Sequence, residues 1–308
     1  MRLHCRRCLT ILDAAVLLAS FTAPARQPAG PVRIDDLGIV VQGSSRQVAF
    51  TNTQSGVFTT QTNAGHRSGW EGWRVRSRKI LDDYALQIDG RDISRTDAVR
   101  ATVYPDRLVR EYPDGLRETV TLLDSVDALV VELDGNAGRH IGVRPLYAGA
   151  YADSEFTSFM RRGLIIIKRL NEGPDTPDTL SESIVTLGIS PGTDVSTFFH
   201  IPLTVGKDYS PLSAESAVPD SHYTIVFAAG RTQLESWRAA GAVLGHSAAA
   251  LSARRARIEQ MLNRSPVITD DPRFDKALNW AKVSLDALIM NQGMKGIFAG
   301  LPWFDNLG

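Results

Sequence analysis

The chain has 308 residues, a length typical of about two domains at ~150 residues each. Hydrophobic residues make up 43% and charged residues 22%, which excludes a disordered chain, a collagen and a multi-pass membrane protein. Basic and acidic residues number 34 each, so the net charge is zero, and we expect no nucleic acid partner because no basic excess is available to pair with phosphates.

Residues 1–25 have the layout of a secretory signal peptide. Three arginines fall within the first seven residues, an apolar stretch covers residues 9–23, and small residues at 23 and 25 form a cleavage site. Because this stretch is shorter than the about 20 apolar residues that span a bilayer, we expect no membrane span and an exported protein, periplasmic or extracellular. Both cysteines, Cys5 and Cys8, lie in this segment, and without a second pair they predict no metal site.

Residues 30–229 have the composition of strands and turns. Runs rich in Thr, Val and Phe flank a short Gln54-Ser55 turn, and Asp89-Gly90 has the residues of a type I′ hairpin because both tolerate positive φ. Strands are expected at 48–53, 56–62, 84–88, 91–93, 101–104, 108–112, 116–122, 128–133, 163–168, 183–189, 196–203 and 222–228. Short strands separated by turn residues predict a mostly β sandwich of antiparallel sheets, and the absence of alternating helices disfavours a doubly wound nucleotide-binding fold.

The character of the sequence changes at Gly230. Residues 230–265 are rich in Ala, Leu, Arg and Glu and predict a linker helix that ends at Ser265-Pro266, with Gly241 and Gly245 as candidate positions for a break. No nucleotide-binding fingerprint or phosphate-cradling glycine loop occurs in the chain, so we expect no cofactor.

A second helix is predicted to begin near Asp271-Pro272, an aspartate cap followed by proline in the first turn. Its apolar residues recur at steps of four and three, the spacing of one buried helical face: Phe274, Leu278, Ala281, Leu285 and Leu288. Gly293 is the expected end of this helix. A single amphipathic helix cannot bury such a face alone, so we expect further helices to pack on it.

The run Ala299-Gly300-Leu301-Pro302-Trp303-Phe304 that follows, with Gly308, resembles bacterial glycogen-debranching (amylo-α-1,6-glucosidase-like) enzymes of the six-hairpin glycosidase group. In these enzymes the first catalytic-domain helix leads into Ala-Gly-aromatic-Pro-Trp-Phe and then Gly-Arg-Asp-Thr; Leu301 replaces the usual aromatic residue. Residues 62–73 and 81–84 are also similar to the N-terminal sandwich of this family.

The resemblance implies a β-supersandwich-like domain followed by the start of an all-α (α/α)6 toroid at residues 270–308. The family's reaction is inverting hydrolysis of α-linked glucans by two carboxylates. Both carboxylates are expected downstream of Gly308, because the resemblance implies that the chain carries one of the twelve barrel helices and that the barrel is truncated. We therefore expect the 308-residue chain alone to be inactive, with its catalytic residues unknown.

The resemblance also suggests residues that contact an α-glucan or oligosaccharide substrate. Trp303 and Phe304 are suited to stack on a pyranose ring, and Asp305 to accept hydrogen bonds from sugar hydroxyls. A second candidate cluster is His66, Trp70 and Trp73. Both sets have a structural alternative: the first as barrel core, and the second as an anchor between the sandwich and the barrel.

Two other interpretations remain open. The chain is alternatively a non-catalytic β sandwich that binds carbohydrate or another subunit, or the product of a truncated reading frame. The sequence does not indicate an oligomeric state.

Overall fold

The computed structural model describes residues 30–68, 70–76, 78–147, 155–170, 182–198, 212–291 and 295–298. The strands are β1 Ile39–Val41, β2 Gln47–Thr51, β3 Gly56–Gln61, β4 Gly72–Val75, β5 Arg78–Leu81, β6 Asp83–Ile88, β7 Arg91–Ile93, β8 Arg100–Val103, β9 Leu108–Glu111, β10 Arg117–Leu122, β11 Ala128–Arg139, β12 Ile141–Leu146, β13 Glu155–Arg161, β14 Leu164–Leu170, β15 Glu182–Ser190, β16 Thr193–Phe198, β17 Leu212–Ser216, β18 Asp220–Gly230, β19 Ile289–Asn291 and β20 Lys295–Ile297. The helices are α1 Gln233–Gly245, α2 Ser247–Asn263 and α3 Pro272–Ala287, with 3₁₀ turns at Ile34–Leu37 and Arg95–Asp97.

Within the described residues the strands form three larger antiparallel sheets and one small pair. The nine-stranded sheet has the order β1-β8-β9-β10-β11-β18-β15-β14-β13. A five-stranded sheet runs β16-β17-β12-β6-β7, a four-stranded sheet runs β2-β3-β4-β5, and β19 pairs with β20. Hairpin connections dominate this topology, as the turn residues of the sequence predict.

The main hydrophobic core lies between the nine-stranded sheet and the other two. Trp73 from the four-stranded sheet, Tyr84 from the five-stranded sheet and Phe227 from the nine-stranded sheet belong to one buried cluster. The rings of Tyr84 and Phe227 lie 5.9 Å apart. The predicted mostly β sandwich is therefore confirmed for the described residues.

Helix α1 covers part of the outer face of the nine-stranded sheet. Thr232 caps the helix by accepting a hydrogen bond from the backbone N–H of Glu235 at 3.1 Å. A Cβ on Gly230 would lie 2.4 Å from a backbone nitrogen of α1, so glycine permits the tight return from β18 into the helix. Val226 on the sheet and Val243 on the helix are buried in the same small cluster.

Helix α2 is docked firmly on the β domain. Arg254 is buried and donates to Asp124 Oδ1 at 2.6 Å and to the backbone oxygen of Thr51 at 3.1 Å. Ile258 and Leu262 on the same helix pack against the 3₁₀ turn Ile34–Leu37. The expected helical segment 230–265 thus forms two helices that meet at His246, next to the break expected near Gly245, and both belong to the packed fold.

Helix α3 begins as predicted, with Asp271 as its cap and Pro272 in its first turn. It ends at Ala287, earlier than the predicted stop at Gly293, which lies outside the described residues. The reason is local: Ile289–Asn291 leaves the helix to pair with β20, and the N–H of Asn291 donates to the backbone oxygen of Gln54 at 2.8 Å.

Candidate functional site

Residues 62–71 connect β3 to β4 and border a pocket of about 180 Å³ at one end of the sandwich. We name this connection the 62–71 loop. The pocket is lined on the loop side by Gly65 and His66, and opposite them by Asp83, Ser94, Arg95 and Tyr112. The lining also includes the apolar residues Ala85, Leu86, Ile93 and Leu146, but its exposed surface is more polar than apolar, which suits a hydroxyl-rich ligand.

Two buried carboxylates fasten the 62–71 loop to the sheets. Glu71 accepts hydrogen bonds from the backbone N–H of Arg67 at 2.8 Å and from Gln61 Nε2 at 2.6 Å. Asp83 accepts from the backbone N–H of His66 at 3.2 Å. Because both acceptors are almost fully buried, they fix the loop backbone in place while the His66 side chain lies at the pocket.

Arg95 is one of the residues that line the pocket. Its guanidinium pairs with Asp83, donates to the backbone oxygen of Tyr84 at 2.9 Å and lies 4.4 Å from the centre of the Tyr84 ring. Burial by itself lowers the pKa of Arg95, but the negative charges around it, above all Asp83 and also Glu118, together hold that pKa well above its ordinary value. Arg95 is therefore a permanent cation whose charge is already balanced by Asp83.

A second buried network lies directly behind Arg95. Glu118 accepts hydrogen bonds from Tyr84 Oη at 2.5 Å, from Arg110 Nη1 at 2.8 Å and from Tyr112 Oη at 2.9 Å. Burial raises the pKa of Glu118, but Arg110 and Arg95 together lower it to about 2. Glu118 is thus ionised near neutral pH, and its carboxylate joins Tyr84, Arg110 and Tyr112 in one buried network.

The network reaches the start of the loop through Arg110. Its Nε donates to the backbone oxygen of Thr62 at 2.6 Å, and its Nη2 donates to that of Gln61 at 2.9 Å. Arg110 and Glu118 have no exposed surface. The loop geometry therefore depends on a charged pair that solvent does not reach.

The candidate residues from the sequence fall in different environments. His66 is half-buried at the pocket, and Trp70 is 62% exposed at the end of the same loop. Trp73, three residues later in β4, has no exposed surface and belongs to the sandwich core, so its place is not the pocket wall. The other predicted sugar contacts, Trp303, Phe304 and Asp305, lie outside the described residues.

Sequence reasoning missed the residues that build this pocket. Asp82 and Asp83 appear in the sequence as adjacent turn acids, and Arg95 and Glu118 carry no motif. The signal in the sequence is a charge beside or within runs that predict buried strands, because a charge buried there needs a partner.

The described residues hold no group of three His, Cys, Asp or Glu side chains suited to a metal ion. No helix within them is long and apolar enough to cross a membrane. Among the described residues at the pocket, His66, Ser94 and Arg95 carry polar atoms of the kind that form hydrogen bonds with a ligand.

No known protein-family profile and no curated protein match the chain. A protein assigned as a kojibiose phosphorylase from the human microbiome is similar in structure, with a TM-score of 0.48 and 6% identity over 84% of this chain and 43% of that chain. A family GH92 α-mannosidase from Bacteroides thetaiotaomicron has a TM-score of 0.44 and 12% identity over 78% of this chain and 37% of that chain. A family GH92 inverting mannosidase from Bacteroides thetaiotaomicron VPI-5482 has a TM-score of 0.44 and 14% identity over 80% of this chain and 36% of that chain. The chain therefore spans less than half the length of each.

Proposed function

We propose that this chain is the N-terminal part of an exported glycoside hydrolase that acts on α-linked glucans, of the amylo-α-1,6-glucosidase or debranching type. In this proposal the sandwich supports a helical catalytic domain of the (α/α)6 kind. The two carboxylates that carry out inverting hydrolysis lie beyond Gly308. The proposal rests on the motif at residues 299–308 and on the way in which α3 is packed.

The packing of α3 is the observation that carries the proposal. One side of the helix is attached to the β domain: Trp280 Nε1 donates to the backbone oxygen of Leu37 at 2.8 Å, and Lys276 Nζ donates to that of Gly38 at 2.6 Å. The opposite side is exposed, with Phe274 at 51% and Leu285 at 65%. A helix attached by one side with an apolar stripe on the other is suited to begin a second layer of helices.

Features of the 62–71 loop support a role of the β domain in sugar binding. Trp70 presents an exposed indole at the end of a loop whose backbone is fixed by buried carboxylates. An exposed aromatic side chain on a loop that borders a polar pocket suits a pyranose ring, which has an apolar face and a rim of hydroxyls. In the proposed enzyme, His66 and Trp70 contact a glucan chain that extends from the catalytic domain.

Export is part of the proposal and is supported by the sequence of residues 1–25, which lie outside the described residues. Recovery of the native protein from the periplasmic or extracellular fraction of its host is the expected result. Recovery from the cytoplasm would contradict export but not the proposed glycosidase activity.

The decisive experiment is an intact-mass measurement of the protein purified from its host, joined to an activity assay. We expect a mass well above the 33.7 kDa of this chain, and release of glucose with inverted configuration from isomaltose or maltotriose, followed by NMR of the nascent anomer. The recombinant 308-residue chain serves as the control and should show no turnover. A native protein without glucosidase activity, or turnover by the control chain, would contradict the proposal.

The exposed Trp70 is also compatible with a second candidate function, a non-catalytic glucan-binding sandwich. This function predicts a native mass no greater than 33.7 kDa together with saturable binding of maltooligosaccharides. The same mass measurement therefore separates the two functions before any substrate is chosen.

A further inference from the structure

Strand β13 lies at one edge of the nine-stranded sheet. It pairs with β14 in one continuous antiparallel register, and among the described residues no strand pairs with its other side. Edge strands of this kind present a row of backbone N–H and C=O groups that can pair with another chain. We name this side of the strand the β13 edge.

The other sheet edges in the described part of the chain are shorter or irregular. Strands β1 and β7 have three residues each, and β2 has five. The pairing of β16 with β17 contains a register shift, and so does that of β5 with β4. Strand β13 has seven residues and no register shift. Short strands and irregular pairing discourage contact between sheet edges, so the β13 edge is the one best suited to accept a further strand.

The β13 edge also exposes apolar side chains on both faces of the sheet. Phe159 is 39% exposed and Met160 is 41% exposed. Because successive residues of a strand point to opposite faces, one of these side chains lies on each face. Their partners on β14, Ile166 and Ile165, are almost fully buried. A strand added at this edge would cover both exposed side chains.

The turn between β13 and β14 determines which backbone groups face the β13 edge. Arg162 and Gly163 have positive φ, 50° and 72°, and Arg161 pairs with Leu164 across them, as in a two-residue type I′ turn. The residues that flank such a turn are hydrogen-bonded to each other, and the direction of the backbone groups alternates along the strand. The positions whose N–H and C=O groups point away from β14 are therefore 156, 158 and 160.

We propose that the β13 edge pairs with the β13 edge of a second copy of this chain, antiparallel, about a two-fold axis at Ser158. In this register position 158 lies opposite itself, and position 156 of each copy lies opposite position 160 of the other. All three positions then exchange backbone hydrogen bonds across the axis. This pairing does not depend on the proposed glycosidase activity.

The side-chain sequence of β13 matches the same register. Thr157 of one copy lies opposite Phe159 of the other, an aromatic and β-branched pair of the kind that stabilises sheets. The strand begins with the acidic Glu155 and ends with the basic Arg161, so opposite charges also meet. Arg161 is exposed and its guanidinium lies 4.8 Å from the centre of the Trp237 ring, which leaves its charge without a counter-ion in this contact. The strand is complementary to itself in hydrogen bonding, packing and charge, and this favours a second copy as its partner.

The test is oxidative cross-linking of the 308-residue chain carrying Cys5→Ser and Cys8→Ser, which removes both native cysteines. In this background Ser158→Cys should form a reducible dimer. Opposite residues of a hydrogen-bonded antiparallel pair have Cα atoms about 5.5 Å apart, within the about 4.4–6.8 Å that a disulfide spans. Met160→Cys, on the same face, is the matched control. Its two copies would lie four residues apart along the strands, on the order of 14 Å, and should not cross-link.

A charge placed on the edge tests the interface further. Met160→Lys should lower the cross-linked fraction of Ser158→Cys by about tenfold, because a lysine on an edge strand opposes pairing. Val40→Lys, at an exposed position of the opposite edge strand β1, should leave that fraction unchanged. Association through α3 would not bring the two copies of residue 158 together, so the position of the cross-link separates that contact from this one. No cross-link at 158, equal cross-linking at 158 and 160, or equal effects of the two lysines would overturn the proposal.

Hydrogen exchange of the wild-type chain guards against misfolded variants. We expect the peptide that contains β13 to lose protection of up to three amides, those of residues 156, 158 and 160, when the protein is diluted. Exchange of this peptide that does not change with dilution would show that no second copy covers the edge, whether a segment of the same chain covers it or nothing does, and would overturn the proposal.

Discussion

Arg110 and Glu118 form an ion pair with no exposed side-chain surface, in which Arg110 Nη1 lies 2.8 Å from Glu118 Oε1. Tyr84 and Tyr112 donate to the same carboxylate, so four side chains share one buried polar network. The network connects the nine-stranded sheet to the start of the 62–71 loop through the backbone oxygens that Arg110 contacts. A surface loop with a candidate binding role is thereby fixed by the interior of the sandwich.

Glu118→Gln should destabilise the fold strongly. The variant leaves the Arg110 guanidinium buried without its counter-ion, a loss of about 3–5 kcal/mol in the free energy of unfolding. Urea unfolding followed by circular dichroism measures this directly. The matched control is Glu111→Gln, which removes a surface pair with Arg100 and should cost about 0–1 kcal/mol. Equal losses in the two variants would contradict a special role for the buried network.

The same carboxylate predicts a pH dependence of stability. The pKa of Glu118 is lowered to about 2 in the folded protein from an ordinary value of 4.5. Its ionised form therefore stabilises the fold fully above about pH 4.5, and this stabilisation is lost as the pH falls from there toward about 2. We expect the urea midpoint of the wild type to fall over this window more steeply than that of Glu118→Gln. Parallel curves for the two proteins would show that Glu118 does not carry this part of the acid sensitivity.

Removal of the indole should have very different effects on stability at Trp70 and at Trp73. Trp73→Ala removes a fully buried indole from the core and should cost about 3–5 kcal/mol of stability. Trp70→Ala removes an exposed indole, which should change stability by no more than about 0.5 kcal/mol. If Trp70 stacks on a sugar, its loss should weaken the binding of maltooligosaccharides by about tenfold in calorimetry.

Trp70→Phe supplies the control for this pair, because it keeps an aromatic face and should retain most of the affinity. An unchanged affinity in Trp70→Ala would remove this residue from the proposed site. Loss of affinity in Trp70→Ala accompanied by a large loss of stability would show instead that the indole is structural.

Local sequence rules succeeded where the structure is determined by neighbouring residues. Asp89 and Gly90 both have positive φ, 48° and 75°, and join β6 to β7 as the type I′ composition predicts. Asp271 and Pro272 begin α3 because a side-chain acceptor and a fixed φ act within one turn.

The candidate site was less predictable because its contacts are long-range. Tyr84 and Glu118 are 34 residues apart in sequence and meet only when two sheets pack face to face. Trp70 and Trp73 look alike in sequence, yet only the second lies in a strand whose face is buried. The partners of a buried charge and the burial of an aromatic residue are properties of the assembled sandwich, which local patterns do not encode.

The exposed stripe of α3 predicts self-association of the isolated 308-residue chain. Phe274 and Leu285 lie on the same side of the helix and are 51% and 65% exposed, so the chain should reduce this exposure by associating. The double variant Phe274→Ser/Leu285→Ser should shift the light-scattering mass toward the monomer at equal concentration. Val218→Ser, which changes a single apolar residue that is 47% exposed outside the helices, should leave the association unchanged. A monomeric wild type would remove the main structural support for a helical layer on this face. Association that is lost in the double variant and kept in Val218→Ser would locate the contact on α3.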